Sequence, residues 1–271
     1  MFLKLHFAGG SKVGVNPKIN NLAEAIIHAK FDYLYIADSG LRAEPDTLQD
    51  LVLAMRPDVG MVHQFPYVVD RNPPDFSNTY HKVFFGTHHA KMYLFINWLG
   101  LNCTTGMSSM IRRSIIEKSG GPSHFGRYLA EDYFLAKATQ DQGWRIALTS
   151  NVAVQAAGEA SVHVLQQRLM RWVKLRTSMV PVTIFLEPIA ECFACGFIVS
   201  LAVCYLSGWS PLLFFLMHCL LWFLLDYILL SAVNRTALPF SRLDYLICWI
   251  YKEVCNFVLL IFVSAFNISL S

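Results

Sequence analysis

Residues 181–271 are dominated by Leu, Phe, Ile, Val, Cys, Trp and Tyr, and this block constrains the chain more than any other feature. A helix that is apolar all round is stable only inside protein or lipid. Three apolar segments can be separated within it, at residues 192–207, 211–233 and 245–269. The second reaches the roughly 20 residues that a membrane-crossing helix needs. It carries Asp226, and the third carries Lys252 and Glu253; charges at such depth are costly and normally face protein or water. The first is short and has Glu187 and Glu191 at its entry, so it is expected to tilt, re-enter or lie at an interface.

Residues 1–180 mix charged and apolar residues as a globular domain does. Only 15% of the 271 residues are charged, whereas soluble domains average about 25%. The expected organisation is therefore a domain at 1–180 followed by a membrane region at 181–271. A net charge of +3 and the lack of a basic tract argue against nucleic acid as a partner. Six of seven cysteines lie in the apolar block, where Cys192-x-x-Cys195 reads as buried small hydrophobes rather than a metal or redox pair. The opening Met1-Phe2-Leu3-Lys4 is not expected to act as a secretory signal.

The polar part alternates. Residues 22–30 have helical spacing, 33–37 form a strand-like apolar run, 45–55 start another helix, and 59–63 read as a second short strand. This is the βα alternation of a mostly parallel sheet. Residues 70–80 read as a loop, and 103–113 as a strand, a turn and a helix start.

Several residues on this frame could carry chemistry. Gly9, Gly10 and Gly14 with Lys18 make a loop that can approach a phosphate, although neither a Walker loop nor a dinucleotide fingerprint is matched. Asp38 follows the strand at 33–37, where open α/β sheets place ligands; it suits a divalent metal on a nucleotide diphosphate, or equally a structural turn. His88 and His89 are adjacent, so they diverge and do not form a metal pair; one of them could reach a substrate phosphate or hydroxyl. Gly106 permits close approach of a sugar or acceptor, or simply shapes a turn. Glu131 and Asp132 open a helical pattern, where the helix dipole favours an ionised carboxylate suited to a general base, with a capping role as the alternative.

Residues 162–179 are amphipathic and basic, with Arg168, Arg171, Lys174, Arg176 and Trp172, as in a helix lying at a membrane interface. These cations, with Arg235 and Arg242, place the polar domain in the cytosol by the positive-inside rule. Three glycosylation-type tripeptides, at Asn102, Asn234 and Asn267, are discounted in that topology.

Taken in order, five motifs resemble those of the inverting family 2 glycosyltransferases, over nearly the whole chain. They are Gly9-Gly10 to Asn16-Pro17-Lys18 and Asn21, Ile36-Ala37-Asp38-Ser39-Gly40, Gly106-Met107-Ser108, Ala130-Glu131-Asp132-Tyr133-Phe134, and Arg168-x-x-Arg171-Trp172. The wording around Asn16, Asp38 and Ala130 is similar to the branch that glucosylates ceramide. The resemblance implies an α/β GT-A domain followed by α-helical membrane segments, with UDP-glucose as donor, ceramide as acceptor and the lipid bilayer as support. It implies a Golgi membrane protein with its catalytic domain in the cytosol. Asp132 would be the base, and Lys18, Asp38, Arg168, Arg171 and Trp172 would serve the donor diphosphate. Asp38 would also hold a divalent metal, Mg or Mn, and His89, Gly106 and Glu131 would line the acceptor or sugar pocket.

The sequence departs from the family pattern in two ways. No Asp precedes Asp32 and no helix-length apolar run precedes residue 181, whereas relatives carry an earlier base-reading Asp and usually an N-terminal membrane helix. Asp38-Ser39-Gly40 also offers one carboxylate where many relatives have two. The expectation is a shortened donor fold, with a non-catalytic membrane protein as the alternative to an active enzyme. A polysaccharide synthase is disfavoured because three apolar segments are too few for a polymer channel.

Overall fold

Asn16-Pro17 starts the first helix, because the Asn16 side chain accepts from the backbone amides of Lys18 and Ile19 at 2.9 and 3.2 Å. Pro17 at the first helical position needs no amide partner. The computed structural model describes residues 12–69, 73–155 and 161–268, with side chains described to residue 256. Gly9 and Gly10 of the glycine-rich loop lie outside the described residues. The chain divides into two units, Met1–Val69 with His89–Ala156, and Asp70–His88 with Ala157–Ser271.

The first unit begins with α1 (Pro17–Ile27), β1 (Tyr33–Ala37), β2 (Leu41–Arg42), α2 (Thr47–Ala54), β3 (Val59–His63) and β4 (Pro66–Val68). The chain then supplies α3 (Phe76–Phe84) and a π-helical turn (Phe85–His89) before returning with α4 (Ala90–Trp98). It continues through β5 (Ser108–Arg112), α5 (Arg113–Lys118), α6 (Pro122–Phe125), α7 (Glu131–Asp141), β6 (Arg145–Leu148) and β7 (Ala153–Gln155). The expected loop at 70–80 is thus corrected at its far end. Asp75 caps α3 by accepting from Asn78 N at 2.6 Å, and the helix starts at Phe76.

The main sheet has the order β1-β5-β3-β6. β5 runs antiparallel to β1 and β3, while β3 and β6 are parallel. The sheet is therefore mixed rather than mostly parallel. The helical stretch before β5 brings the chain in from the opposite end, and an antiparallel strand needs no right-handed crossover. A second, three-stranded sheet has the order β2-β7-β4.

Alternating side chains give the main sheet two apolar faces. Ile36, Met61 and Ile111 pack with Ile19, Ile26, Phe125 and Leu135 of the helices on one side. Val62 and Met110 pack with Leu51 and Met55 on the other. Ala37 pairs with Ser108 and His63 with Ser109, so the residues after β1 and before β5 meet at one end of the sheet.

The second unit contains α3, most of the π-helical turn, α8 (Val162–Met179), α9 (Thr183–Ile189), α10 (Cys192–Ser207), α11 (Pro211–Asn234) and α12 (Arg242–Ile268). Among the described residues, α11 is long and apolar enough to cross a membrane alone. Its 24 residues span about 36 Å. α9 and α10 pass the same test only together, as a pair bent by 77°. α12 carries Arg242, Asp244, Lys252 and Glu253 in its first half.

Candidate active site

Four separated stretches converge at the end of the main sheet. β1 delivers Asp38, and the Asp38 backbone amide donates to Met107 O at 2.9 Å, which sets Gly106 beside it. α1 delivers Lys18 in its first turn, and α7 delivers Glu131 and Asp132 in its own. The helix N-termini favour the two carboxylates where they stand.

Lys18 is the hub. Its Nζ donates to Asp38 Oδ1 at 2.7 Å and to the Gly106 carbonyl at 2.6 Å, and lies 3.2 Å from Glu131 Oε1. Burial opposes the charge on Lys18, but the Asp38 hydrogen bond and the charges of Glu131 and Asp38 outweigh it and hold its pKa above the ordinary value. Lys18 is therefore a fixed cation.

Glu131 and Asp132 are neighbours with different environments. Glu131 is tied on both oxygens, to Lys18 through Oε1 and to Asn16 Nδ2 through Oε2 at 2.9 Å. Asp132 accepts from two backbone amides, Tyr133 N on Oδ1 at 2.8 Å and Gly106 N on Oδ2 at 3.0 Å. Burial pushes its pKa up to about 6, helped by the Glu131 charge and opposed by the two amides and Lys18. A carboxylate with a pKa near the working pH is suited to accept a proton. Glu131 is thus engaged by two side chains and Asp132 by backbone amides alone.

Gly106 has a steric reason to be glycine. A Cβ there would lie 3.1 Å from Lys18 Nζ and 3.2 Å from Glu131 Oε1. The surrounding turn is anchored by Thr104 Oγ1 donating to Asp132 O at 3.1 Å and Asn102 Nδ2 donating to Tyr133 O at 3.0 Å.

Asn16 has no role of its own in the sequence reading beyond its place in the Asn16-Pro17-Lys18 motif, yet it links the parts. It caps α1 with its oxygen, while its Nδ2 donates to Tyr128 O at 2.8 Å and to Glu131. The Asn-Pro helix start was the available signal.

The other sequence candidates belong to other elements. His89 is buried within the first unit, 5.8 Å from the Tyr93 ring. Tyr93 also meets His63 at 5.7 Å, and burial drives the His63 pKa down to about 3. Arg168, Arg171 and Trp172 lie on α8 of the second unit, with the Arg168 guanidinium 5.0 Å from the centre of the Trp172 ring. His88 belongs to the second unit too, its Nδ1 3.3 Å from Glu191 Oε1. A cavity of about 670 Å³ in the first unit is lined by Arg56, Trp98, Leu101, Trp144 and Arg145, and shares no residue with the Lys18 cluster.

The metal expectation can be tested on the donors. Among the described residues, no group of three His, Cys, Asp or Glu could hold an ion. Asp38 has one oxygen on Lys18, and its side chain is 41% exposed. One carboxylate fits a Mg-type ion whose other ligands are substrate phosphates and water, and fits no all-protein cage.

Comparison with known proteins bears on this arrangement. The family model described as glycosyl transferase family 21 matches residues 3–268. Ceramide glucosyltransferase 3 of Caenorhabditis elegans is 35% identical over 250 residues, covering 92% of this chain and 54% of the relative. Ceramide glucosyltransferase 1 of the same organism is 35% identical over 246 residues, covering 90% and 52%. The ceramide glucosyltransferase of Komagataella phaffii is 29% identical, covering 79% and 53%. The chain thus spans about half the length of these relatives. Among solved structures, a Pyrobaculum calidifontis mannosyltransferase in complex with GDP-Man and Mn2+ gives a TM-score of 0.44 at 17% identity, covering 92% of this chain and 67% of that one.

Proposed function

We propose that this chain, which belongs to glycosyl transferase family 21, transfers glucose from UDP-glucose to the primary hydroxyl of ceramide with inversion, in a GT-A-like domain held at a membrane. The observation that carries the reading is the convergence of Lys18, Asp38, Gly106, Glu131 and Asp132 from four separated stretches. The relatives' names supply ceramide as acceptor and glucose as the group transferred.

In this reading Asp132 takes the hydroxyl proton of ceramide as that oxygen attacks the anomeric carbon of glucose. The bond from that carbon to the diphosphate oxygen breaks, and UDP leaves with the electron pair, giving the β-glucoside. Both Asp132 oxygens are fixed by amides, so the base is oriented before substrate arrives. Lys18 supplies positive charge beside the departing diphosphate. A divalent ion such as Mg or Mn, when bound, would neutralise the same diphosphate, and Asp38 is the residue that would hold it. Arg168, Arg171 and Trp172 serve the pyrophosphate and acceptor, and His89 and Gly106 line the acceptor side. A lipid acceptor accounts for joining such a site to α11, whose surface is largely exposed leucine. Membranes at the Golgi with the catalytic domain in the cytosol would be its setting.

The test is to incubate membranes holding the intact chain with UDP-glucose and ceramide and to read the anomer of the product. β-Glucosylceramide supports the reading; no product, or the α-anomer, contradicts it.

A further inference from the structure

The second unit buries a set of charges that the reaction above does not use. Lys252, Glu253, Asp226 and Glu191 are each at most 4% exposed. Lys252 Nζ lies 2.7 Å from Glu253 Oε1 and 3.1 Å from Asp226 Oδ2, and Trp249 Nε1 donates to the same Asp226 oxygen at 2.9 Å. Glu253 Oε2 accepts from Cys192 N at 3.1 Å, at the start of α10. Buried ion pairs cost several kcal/mol per ion to desolvate, and apolar residues of similar volume often stabilise as well or better. Stability alone is therefore a poor reason for this network.

Its contacts point to one element. Lys252 Nζ also donates to Thr87 Oγ1 at 3.1 Å, and Glu191 meets His88, so two consecutive residues of the π-helical turn are held by charged side chains. The Thr87 hydroxyl has a defined orientation: it donates to Val83 O at 2.6 Å, leaving a lone pair for Lys252. A hydroxyl bonded back to the fourth residue bends a helix, and π-helical turns are rare and often found at functional sites. The turn ends in His89, which the proposed function places on the acceptor side.

We infer that Lys252, through Thr87, is a positioning residue that holds the Phe85–His89 π-helical turn in register for acceptor binding. The inference rests on the proposed glucosyl transfer for its consequence, but the holding of the turn can be measured without it. Thr87→Val keeps the β-branched shape and removes both the lone pair that Lys252 uses and the donor to Val83 O, while Thr87→Ser keeps both. Lys252→Met, which leaves the Val83 bond in place, should accelerate exchange over residues 85–89 as well. Amide hydrogen exchange over residues 85–89 should accelerate at least tenfold in Thr87→Val and stay near wild type in Thr87→Ser, with α11 unchanged in both. The KM for ceramide should rise about tenfold in Thr87→Val, with affinity for UDP unchanged. Unaltered exchange in Thr87→Val overturns the inference, and so does accelerated exchange with an unaltered ceramide KM. If the wild-type chain transfers no glucose, the proposed function fails; accelerated exchange in Thr87→Val then still upholds the holding of the turn, and unaltered exchange refutes it.

Discussion

The backbone amide of Gly106 donates to Asp132 Oδ2 at 3.0 Å, so the turn before β5 directly orients the carboxylate at the start of α7. The same glycine offers its carbonyl to Lys18 Nζ at 2.6 Å. The Asp132 carboxylate and the Lys18 cation are thus set by one peptide segment, and disturbing it should affect both.

Asp132 gives a pH prediction with a definite sign. Its pKa is raised to about 6, so the base is ionised above that pH and protonated below it. The rate of glucosyl transfer should fall on the acid side with an apparent pKa near 6. Folding behaves oppositely: a carboxyl whose folded pKa is raised contributes stability at acid pH that is lost as pH rises through about 6. Asp132→Asn removes the buried charge but turns an NH2 group toward one of the two amides that Asp132 accepts from. The two effects oppose, so its stability at pH 7.5 should stay within about 1–2 kcal/mol of wild type while its turnover drops by about 10³-fold or more. Thermal melts and steady-state rates across pH 5–8 check both halves.

Two glycines should respond differently to alanine. At Gly106 the added Cβ meets the flexible ends of Lys18 and Glu131; these can give way, so Gly106→Ala should cost about 1 kcal/mol of stability but reduce transfer about tenfold or more. At Gly14 the Cβ would overlap the backbone of Gly126, which cannot swing aside. Gly14→Ala should cost several-fold more stability, read by denaturant midpoint.

Asn16 joins a helix cap to a carboxylate. Asn16→Ala should cost about 1–2 kcal/mol, since it removes the cap and leaves Glu131 without one donor. Asn16→Asp keeps an acceptor for the amides of Lys18 and Ile19 but places a second negative charge on Glu131. It should recover the cap and still weaken UDP binding, as isothermal titration would show.

Metal dependence should run through Asp38. Adding Mg or Mn should increase the UDP-induced thermal shift of the wild-type chain, and chelation should reverse the increase. In Asp38→Asn the shift should no longer respond to the ion, while Lys18 still gives a residual response to UDP.

Much of this arrangement was legible in the sequence where signals are local. The strands at 33–37 and 59–63 and the basic helix at 162–179 lie where periodicity puts them, and Glu131 and Asp132 fall in a first helical turn as expected. The helical stretch from Phe76 to Trp98 was not legible past its loop-like start. Phe76, Tyr80, Val83 and Phe84 recur at helical spacing, but the loop-like composition of residues 70–75 and the polar residues Asn78, Thr79, His81 and Lys82, buried among them, mask that stripe. Missing that stretch also hides the reversed entry of β5, and hence the mixed sheet. Lys18 was recognisable as a cation near a glycine-rich loop, but its bonds to Asp38, 20 residues away, and to Gly106, 88 away, depend on how the strands pair.

The most direct test compares wild-type and Asp132→Asn chains in the same lipid, measuring glucosylceramide formed from UDP-glucose alongside the UDP-induced thermal shift. The account predicts β-glucosylceramide from wild type, a loss of about 10³-fold in Asp132→Asn, and an unchanged shift with UDP in both. Equal turnover by the two chains would contradict it.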